Sequence, residues 1–302
     1  MKSILILSDY SDCALNAIKF AADLSRKFDA RIHVTHIHQI VVPGDIAFNI
    51  NTYVQISSKE KEIFKTYIKK LSQQDFMKGI KLQSSLDTVY QLYDVLVMDK
   101  YDDIDMIVMG SNGVDGIKEF FIGSNTQKFI QLAHCPVIVI KDEVKVSNIK
   151  SIVFASDFKQ EVIPKFHVIR DFAQKIGAKL HYLKIMTPKD YSVEDKEMND
   201  IADFVKSTGI NANDVSLYQS VSVEQGIIKY CKETKANMIA IETHGRTGFS
   251  HLIKDNIAES LSNHILIPMF SVRIDEEAGA LSDGIVEFLI RKNLIIKKQS
   301  YG

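Results

Sequence analysis

The stretch Val108-Met109-Gly110-Ser111-Asn112-Gly113, an apolar run that ends in glycines, decides how this chain is organised. Ten residues after Gly113, Gly123-Ser124 begins a segment whose apolar residues have helical spacing. The same pattern returns 132 positions later, with Glu242 in place of Gly110 and Asp255-Asn256 in place of Gly123-Ser124. The kept spacing indicates that both copies share a fold, and the exchanged residues indicate that they do not share a ligand.

A second pair of matching segments extends the repeat to both halves of the chain. Residues 4–9 match residues 152–157 at an offset of 148, and residues 30–33 match residues 178–181 at the same offset. The later glycine segments match at an offset of 132, so the second copy is 16 residues shorter. Repeats of this length indicate two copies of one folding unit.

Short apolar runs alternate with helix-period segments in each copy. Uniformly apolar strands that alternate with helices are typical of a parallel sheet covered on both faces. The right-handed crossover rule then predicts two tandem doubly wound α/β domains, Rossmann-like and of the adenine-nucleotide α-hydrolase type. In the first copy we predict strands at 3–8, 31–37, 80–85, 105–109 and 136–140, and helices at 12–28, 57–77, 88–99 and 124–133.

The repeat and the charge pattern predict four segments. These are a first domain at 1–141, a charged linker at 142–149, a second domain at 150–272 with a degenerate motif, and an extension at 273–302. In the extension, apolar residues recur at helical spacing. We interpret it as a helix packed on its own domain, and a docking segment for a partner or a membrane surface is the alternative. The residues that carry this spacing are Leu281, Ile285, Phe288 and Leu289.

The composition is that of a soluble globular protein. The 302 residues are 46% hydrophobic and 25% charged, with a net charge of −1, so no overall field favours nucleic acid. Cys13, Cys135 and Cys231 lie far apart without CxxC spacing, which favours a reducing compartment and no zinc site. We interpret Cys135 as a buried small apolar residue. With no apolar run of membrane-spanning length, we expect a cytoplasmic protein.

Residues suited to an anionic ligand follow the predicted strands of the first copy. Asp9, after strand one, offers a carboxylate that can accept hydrogen bonds from an adenine amino group or ribose hydroxyls. Gly110 and Gly113 follow strand four, where missing β-carbons let a phosphate approach backbone N–H groups. Gly123-Ser124-Asn125 opens a helix whose unpaired N–H groups favour an anion. Because ligands of parallel sheets bind beyond the carboxyl ends of the strands, we expect these residues to converge.

Neither of two common phosphate-binding motifs is present. The sequence contains no GxxxxGK[ST] and no GxGxxG. The alternative to a ligand site is that the glycines make tight turns and that Ser124 caps a helix.

Taken together, Gly110-x2-Gly113-x9-Gly123-Ser124, with Asp9 after strand one, resembles the ATP-binding signature of the universal stress protein family. The stretch Cys135-Pro136-Val137-Ile138-Val139 is also similar to the family, and the resemblance covers both halves. It implies ATP as the ligand, and the sequence leaves the presence of Mg²⁺ open. By this resemblance Asp9 and the backbone of Ile37 would face adenine and ribose. The phosphates would be held by Gly110, Gly113, Gly123, Ser124 and Asn125.

The same resemblance implies how the two halves assemble. The last strands, at 137–140 and 269–272, would pair antiparallel, so that one chain forms a pseudo-dimer. Further oligomerisation stays open.

The second half resembles the family in fold but not in its site. Thr243-His244-Gly245-Arg246-Thr247-Gly248 is similar to the family's loop, yet Glu242 and Asp255 place carboxylates where a phosphate would lie. Because these charges would repel a phosphate, we predict that the second half binds no nucleotide.

No catalytic or metal constellation is evident in the sequence. His33, His36 and His38 cluster on the second strand, but a metal site would need further ligands that the sequence does not supply. We therefore expect an ATP-binding regulatory protein of the stress response that acts on a protein partner and is not an enzyme. Two alternatives stay open: a slow ATPase or adenylate-transferring enzyme on the same site, and a nucleotide-free scaffold or a binder of another small molecule.

Overall fold

The computed structural model describes residues 1–39, 50–89, 92–111, 124–188, 190, 194–244 and 267–274. Two copies of an alternating strand–helix pattern follow each other along the chain. The first contains β1 (Ser3–Leu7), α1 (Asp12–Phe28), β2 (Arg31–Gln39), α2 (Ile50–Ser72), β3 (Leu82–Val89), β4 (Met106–Gly110), α3 (Ser124–Leu132) and β5 (Val137–Ile140). The second contains β6 (Ser151–Ala155), α4 (Ile163–Ile176), β7 (Lys179–Met186), α5 (Glu194–Thr208), β8 (Val215–Gln219), α6 (Val223–Thr234), β9 (Met238–His244) and β10 (Met269–Ile274).

The ten strands of the described residues belong to one sheet, in the order β3-β2-β1-β4-β5-β10-β9-β6-β7-β8. Within each half every neighbouring pair is parallel, which confirms the predicted doubly wound fold. Strand order reverses beside β1 and beside β6, and ligands of such sheets bind at this reversal, beyond the carboxyl ends of the strands.

The two halves meet through their last strands. β5 and β10 pair antiparallel, with Met269 opposite Val139 and Ser271 opposite Val137. The predicted pairing is confirmed, and it leaves β3 and β8 as the two edges of the sheet. β10 continues to Ile274, two residues past the predicted end of the second domain, because it stays paired with β9 as far as His244.

Both faces of the sheet are buried. One face, which carries Ile4, Ile6 and Val34, packs against α1, α2, α4 and α5. The opposite face, which carries Leu5 and Ile107, packs against α3, α6 and the segment around Tyr101. No helix in the described ranges is both long and apolar enough to cross a membrane.

Local sequence explains why α1 begins and ends where predicted. The Ser11 side chain accepts a hydrogen bond from the Ala14 N–H at 3.2 Å, and Asp29 adopts a left-handed conformation (φ 50°) at the other end. A serine N-cap and a left-handed residue after the last turn are common helix ends. The first turn of α1 is thereby fixed directly beyond the carboxyl end of β1.

The helix predicted at 88–99 is wrong. β3 runs on to Val89, and two short 3₁₀ helices follow at Leu92–Val97 and Asp99–Tyr101. These turns place Val95 and Tyr101 in the core, both with 2% exposure or less. The apolar spacing of the segment fits a buried 3₁₀ turn as well as it fits a helix, so tertiary packing decides between them.

Candidate functional site

Three adjacent strands, β2, β1 and β4, end at one edge of the sheet and bring predicted site residues together. β1 ends at Leu7, which pairs with Thr35 of β2 and with the penultimate residue of β4. Asp9 lies two residues beyond Leu7, Ile37 two residues beyond Thr35, and Gly110 is the last residue of β4. The structure therefore brings Asp9, Ile37 and Gly110 to the same edge, where the strand order reverses.

The loop between β1 and α1 presents Asp9 to solvent. Asp9 is exposed, and its Oδ1 accepts a hydrogen bond from the Ser11 N–H at 3.0 Å. Tyr10 has a positive φ of 67°, which turns the chain sharply between the strand and the helix. The carboxylate is thus fixed at the strand end and can accept further hydrogen bonds.

Aromatic rings pack beneath this loop. The Tyr10 ring stacks on His36 with centroids 4.2 Å apart and meets the edge of Tyr67 at 4.8 Å. The His36 Nδ1–H donates to the Ser8 carbonyl oxygen at 2.6 Å, which fixes the ring beside the end of β1. Burial and the nearby Glu60 raise the pKa of Tyr10 to about 12, so its hydroxyl stays protonated.

The histidines of β2 have separate partners. His36 contacts the β1–α1 loop, whereas His38 Nδ1 lies 2.6 Å from Glu60 Oε2 of α2, and His33 is on the opposite face. Among the described residues no three His, Cys, Asp or Glu side chains form a group that could hold a metal.

Gly110 is required by a close approach of two backbones. A β-carbon added there would lie 2.4 Å from both the carbonyl carbon and the carbonyl oxygen of Cys13, and 2.7 Å from the Ala14 nitrogen. The first turn of α1 therefore rests directly on the end of β4. This reason for glycine is independent of any ligand, and the sequence pattern alone did not predict it.

Helix α3 supplies the predicted anion-binding end. It begins at Ser124, so that Ser124 and Asn125 lie in its first turn, where backbone N–H groups have no partner within the helix and can bind an anion. Gly113 and Gly123 lie outside the described residues, as do Asp255 and Asn256 of the second half.

Arg273, which sequence reasoning missed, holds the other end of α3. Its guanidinium Nη1 donates to the carbonyl oxygens of Gln131 at 3.2 Å and Leu132 at 2.8 Å, and the residue is buried at 8% exposure. A cation at the carboxyl end of a helix is stabilising. An arginine among the otherwise uncharged residues of β10 was the available signal. A residue of the second half thus positions a helix of the first.

The second half fills the equivalent position with its own carboxylate. Glu242, opposite Gly110 in the repeat, accepts a hydrogen bond from the Asp157 N–H through Oε1 at 3.2 Å, and its buried Oε2 has no hydrogen-bond partner among the described residues. Burial, followed by the charge of Asp157, raises the pKa of Glu242 to about 7. Space for this side chain exists because α4 begins at Ile163, three residues later than the repeat would place it, after a 3₁₀ turn at Gln160–Val162.

The cysteines are poor nucleophiles. Burial raises the pKa of both Cys135 and Cys231 to about 12, and burial also raises the pKa of Cys13, whose thiol donates to the Lys141 carbonyl oxygen. The interpretation of Cys135 as a buried small residue is confirmed.

Comparisons with known proteins agree with this architecture. The model of the universal stress protein family matches residues 1–141 and again residues 148–273. A universal stress protein of Methanocaldococcus jannaschii is 27% identical over 148 residues, which are 48% of this chain and 84% of the relative. Universal stress protein YxiE of Bacillus subtilis is 26% identical over 144 residues, which are 46% of this chain and 97% of the relative.

Solved structures resemble both halves together. A universal stress protein from Archaeoglobus fulgidus superposes with a TM-score of 0.66 at 18% identity, over 90% of this chain and 98% of the other. One from Pseudomonas aeruginosa gives the same TM-score at 15% identity, over 95% of this chain and 98% of the other. With two family matches that together cover most of the sequence, the chain belongs to the universal stress protein family as a tandem member.

Proposed function

We propose that the first half binds an adenine nucleotide, ATP, and that the protein acts as a cytoplasmic regulator whose surface changes with the bound nucleotide and is read by another protein. The second half is structural and binds no nucleotide. The observation that carries the proposal is the difference between two otherwise equivalent strand ends: Gly110 in one half and the buried Glu242 in the other.

The chemistry of the first strand edge suits a nucleotide. Asp9 is an exposed acceptor for the adenine amino group or the ribose hydroxyls, beside the backbone of Ile37. The first turn of α3, with Ser124, offers N–H donors and a partial positive charge to the phosphates. Bound ATP would place its phosphate groups there, and the nucleotide would order the loop 110–124 around them.

The second strand edge does not suit a nucleotide. Glu242 places a carboxyl group where Gly110 leaves backbone contact, and Asp157 adds a second carboxylate close to it. Two acidic groups disfavour a phosphate at this position. We therefore expect only the first half of the chain to bind a nucleotide.

Writing the residues of the second half into the first tests this proposal. Gly123→Asp combined with Ser124→Asn is expected to abolish ATP binding without unfolding the protein, because the second half already tolerates Asp255 and Asn256 at these positions. At about 100 times its Kd, ATP should stabilise the wild type by about 2.7 kcal/mol. This free energy corresponds to a rise of roughly 5–11 °C in melting temperature for a folding unit of about 150–250 residues.

Two controls make the result interpretable. Mass spectrometry of the gently denatured protein first establishes whether purified protein retains a nucleotide, which must be removed before melting. Asp9→Ala, which removes an exposed side chain, should keep the ligand-free melting temperature and lose most of the ATP shift. A full ATP shift in the double variant, or no shift in ligand-free wild type, contradicts the proposal. A single-turnover assay with labelled ATP separates binding from hydrolysis.

A further inference from the structure

A network of buried polar side chains lies on the outer strands of the first half, where Asp87 of β3 pairs with Ile37 of β2. Asp87 of β3 has 5% exposure, and its carboxylate accepts hydrogen bonds from Thr35 at 2.8 Å and from Tyr101, and forms an ion pair with Lys100. Ser85 lies 2.7 Å from the Tyr101 hydroxyl, and this contact extends the network along β3. Burial alone would raise the pKa of Asp87, but hydrogen bonds from Lys100, Tyr101 and Thr35 outweigh it and lower that pKa. Asp87 is therefore a buried carboxylate.

In the second half, the positions equivalent to this network carry no buried carboxylate. The strand registers place Leu183 opposite Thr35 in the repeat, Ser216 opposite Ser85, and Tyr218 opposite Asp87. There a tyrosine hydroxyl, from Tyr230, donates to Ser216 at 2.8 Å, as Tyr101 contacts Ser85 in the first half. Tyr218 in turn donates to the exposed Glu233 carboxylate at 2.8 Å, so both halves have a tyrosine–carboxylate hydrogen bond here, but only in the first half is the carboxylate buried.

Buried ion pairs are weak evidence for stability, because desolvation offsets the attraction of the charges. An apolar pair of similar volume is often equally stable, and the second half has an exposed carboxylate, Glu233, in place of a buried ion pair at this position. The Asp87–Lys100 pair therefore calls for a reason other than folding.

An open cavity of about 550 Å³ adjoins the network and is lined by Arg31, His33, Gln83, Ser84, Lys100 and Asp103. Arg31 begins β2, six residues before Ile37, so the Arg31 end of the cavity lies roughly 20 Å from the nucleotide edge at the usual strand rise. The Lys100 end lies nearer to that edge, because Lys100 pairs with Asp87, the neighbour of Ile37 in the sheet.

Three side chains that line the cavity are held from behind by hydrogen bonds. The Arg31 Nε–H donates to Ser3 Oγ at 3.1 Å, Lys100 pairs with Asp87, and His33 Nε2 lies 2.9 Å from Ser85 Oγ. Such support fixes the orientation of a binding group before a ligand arrives. Two of the anchored groups are cations.

The charges of the cavity favour an anion at one side. The pKa of His33 is lowered by burial and by Lys100, so its ring is neutral at pH 7. The carboxylate that pairs with Lys100 is buried, but Asp103, which pairs with Arg31, is 63% exposed. Asp103 can turn into water and leave the guanidinium to a competing oxyanion, for which arginine offers a bidentate geometry.

We propose that this cavity is a second small-molecule site that binds a ligand through its carboxylate or phosphate group, with Arg31 and Lys100 as the recognising cations. The proposal is independent of nucleotide binding by the first strand edge. Gln83 and Ser84 supply neutral hydrogen-bonding groups on the same wall.

The test uses the full chain and two probes, inorganic phosphate and citrate, titrated separately at constant ionic strength. Backbone amide NMR signals of Gln83, Ser84 and Lys100 should shift and saturate with at least one probe. Asp103→Asn should tighten binding by about two- to fivefold, because it removes an exposed competing carboxylate. Arg31→Met should weaken binding about tenfold or more, because it removes a charged donor.

Lys78→Met is the matched control. It removes one positive charge at an exposed side chain outside the cavity and should leave affinity unchanged within a factor of two. Urea unfolding verifies that Arg31→Met is folded, and Asp103→Asn changes only an exposed group, so it keeps the test decisive if the arginine variant is unstable. Saturation by one probe alone assigns the ligand class as phosphate or carboxylate.

Three outcomes overturn the proposal: no saturable shift with either probe, equal losses in Arg31→Met and Lys78→Met, or no tightening in Asp103→Asn. ATP titration of the same variants is a separate measurement, since its result depends on the nucleotide edge alone.

Discussion

Replacing Gly110 with alanine tests whether this glycine serves the fold before it serves a ligand. The added β-carbon would lie 2.4 Å from the Cys13 carbonyl group and 2.7 Å from the Ala14 nitrogen, whereas ordinary contacts begin at 3.4 Å. All of these neighbours are backbone atoms, so no rotamer change relieves the clash. Either the first turn of α1 or the end of β4 must move by about 1 Å, which in a close-packed interior disturbs the surrounding contacts.

The expected loss follows from these contacts. Overpacking of a well-packed interior costs typically about 1–3 kcal/mol, and a rigid neighbour places this site at the upper end. Movement of the first turn also strains the Ser11 cap, whose hydrogen bond to the Ala14 N–H contributes about 1 kcal/mol. Gly110→Ala should therefore lower the free energy of unfolding by about 3–4 kcal/mol in the absence of nucleotide.

Urea unfolding of nucleotide-free protein measures this loss, with Gly177→Ala as the comparison. Gly177 ends α4 with a φ of +78° and open space around its Cα, so alanine there meets backbone strain alone, about 1–2 kcal/mol. The packing argument is refuted if Gly110→Ala unfolds within about 0.5 kcal/mol of wild type, an effect typical of an unconstrained surface site.

Two further predictions concern the second half. Because burial raises the pKa of Glu242 to about 7 from 4.5, the folded state binds this proton more tightly, and stability falls as pH rises between these values. Glu242→Gln should therefore gain stability over wild type at pH 8 and lose the advantage at pH 4.5, and an equal difference at both pH values contradicts this assignment. Arg273→Met should lower the free energy of unfolding by about 2 kcal/mol and speed amide exchange in α3, because two hydrogen bonds to its last carbonyls are lost. Unchanged exchange in α3 would show that the arginine does not hold the helix.

The repeat made the fold predictable from sequence. Two concordant sets of strand and helix patterns indicated the parallel sheets, and the apolar spacing alone predicted α1 with its observed bounds. The antiparallel meeting of 137–140 with 269–272 came from family resemblance and is confirmed for β5 and β10. Local and repeated signals were sufficient for these features.

Features that depend on contacts between distant segments were not predictable. The apolar spacing of residues 88–99 predicted a helix. In the structure, the Tyr101 hydroxyl donates to Asp87, and buried 3₁₀ turns replace the helix. Gly110 was interpreted as a phosphate contact or a tight turn, because the approach of α1 to β4 cannot be predicted from spacing. Arg273 was placed in the extension outside the second domain.

The pairing of β5 with β10 gives a physical reason why the second half, for which we propose no nucleotide site, remains part of the chain. Alone, the first half would expose the N–H and C=O groups of β5 along an apolar edge, a surface prone to association with other chains. β10 covers that edge, and Arg273 from the same strand closes the carboxyl end of α3, the helix whose first turn contains Ser124. Glu242 in place of a glycine affects neither of these contacts, so the second half can lack the nucleotide site that we propose for the first and still be needed to shape it.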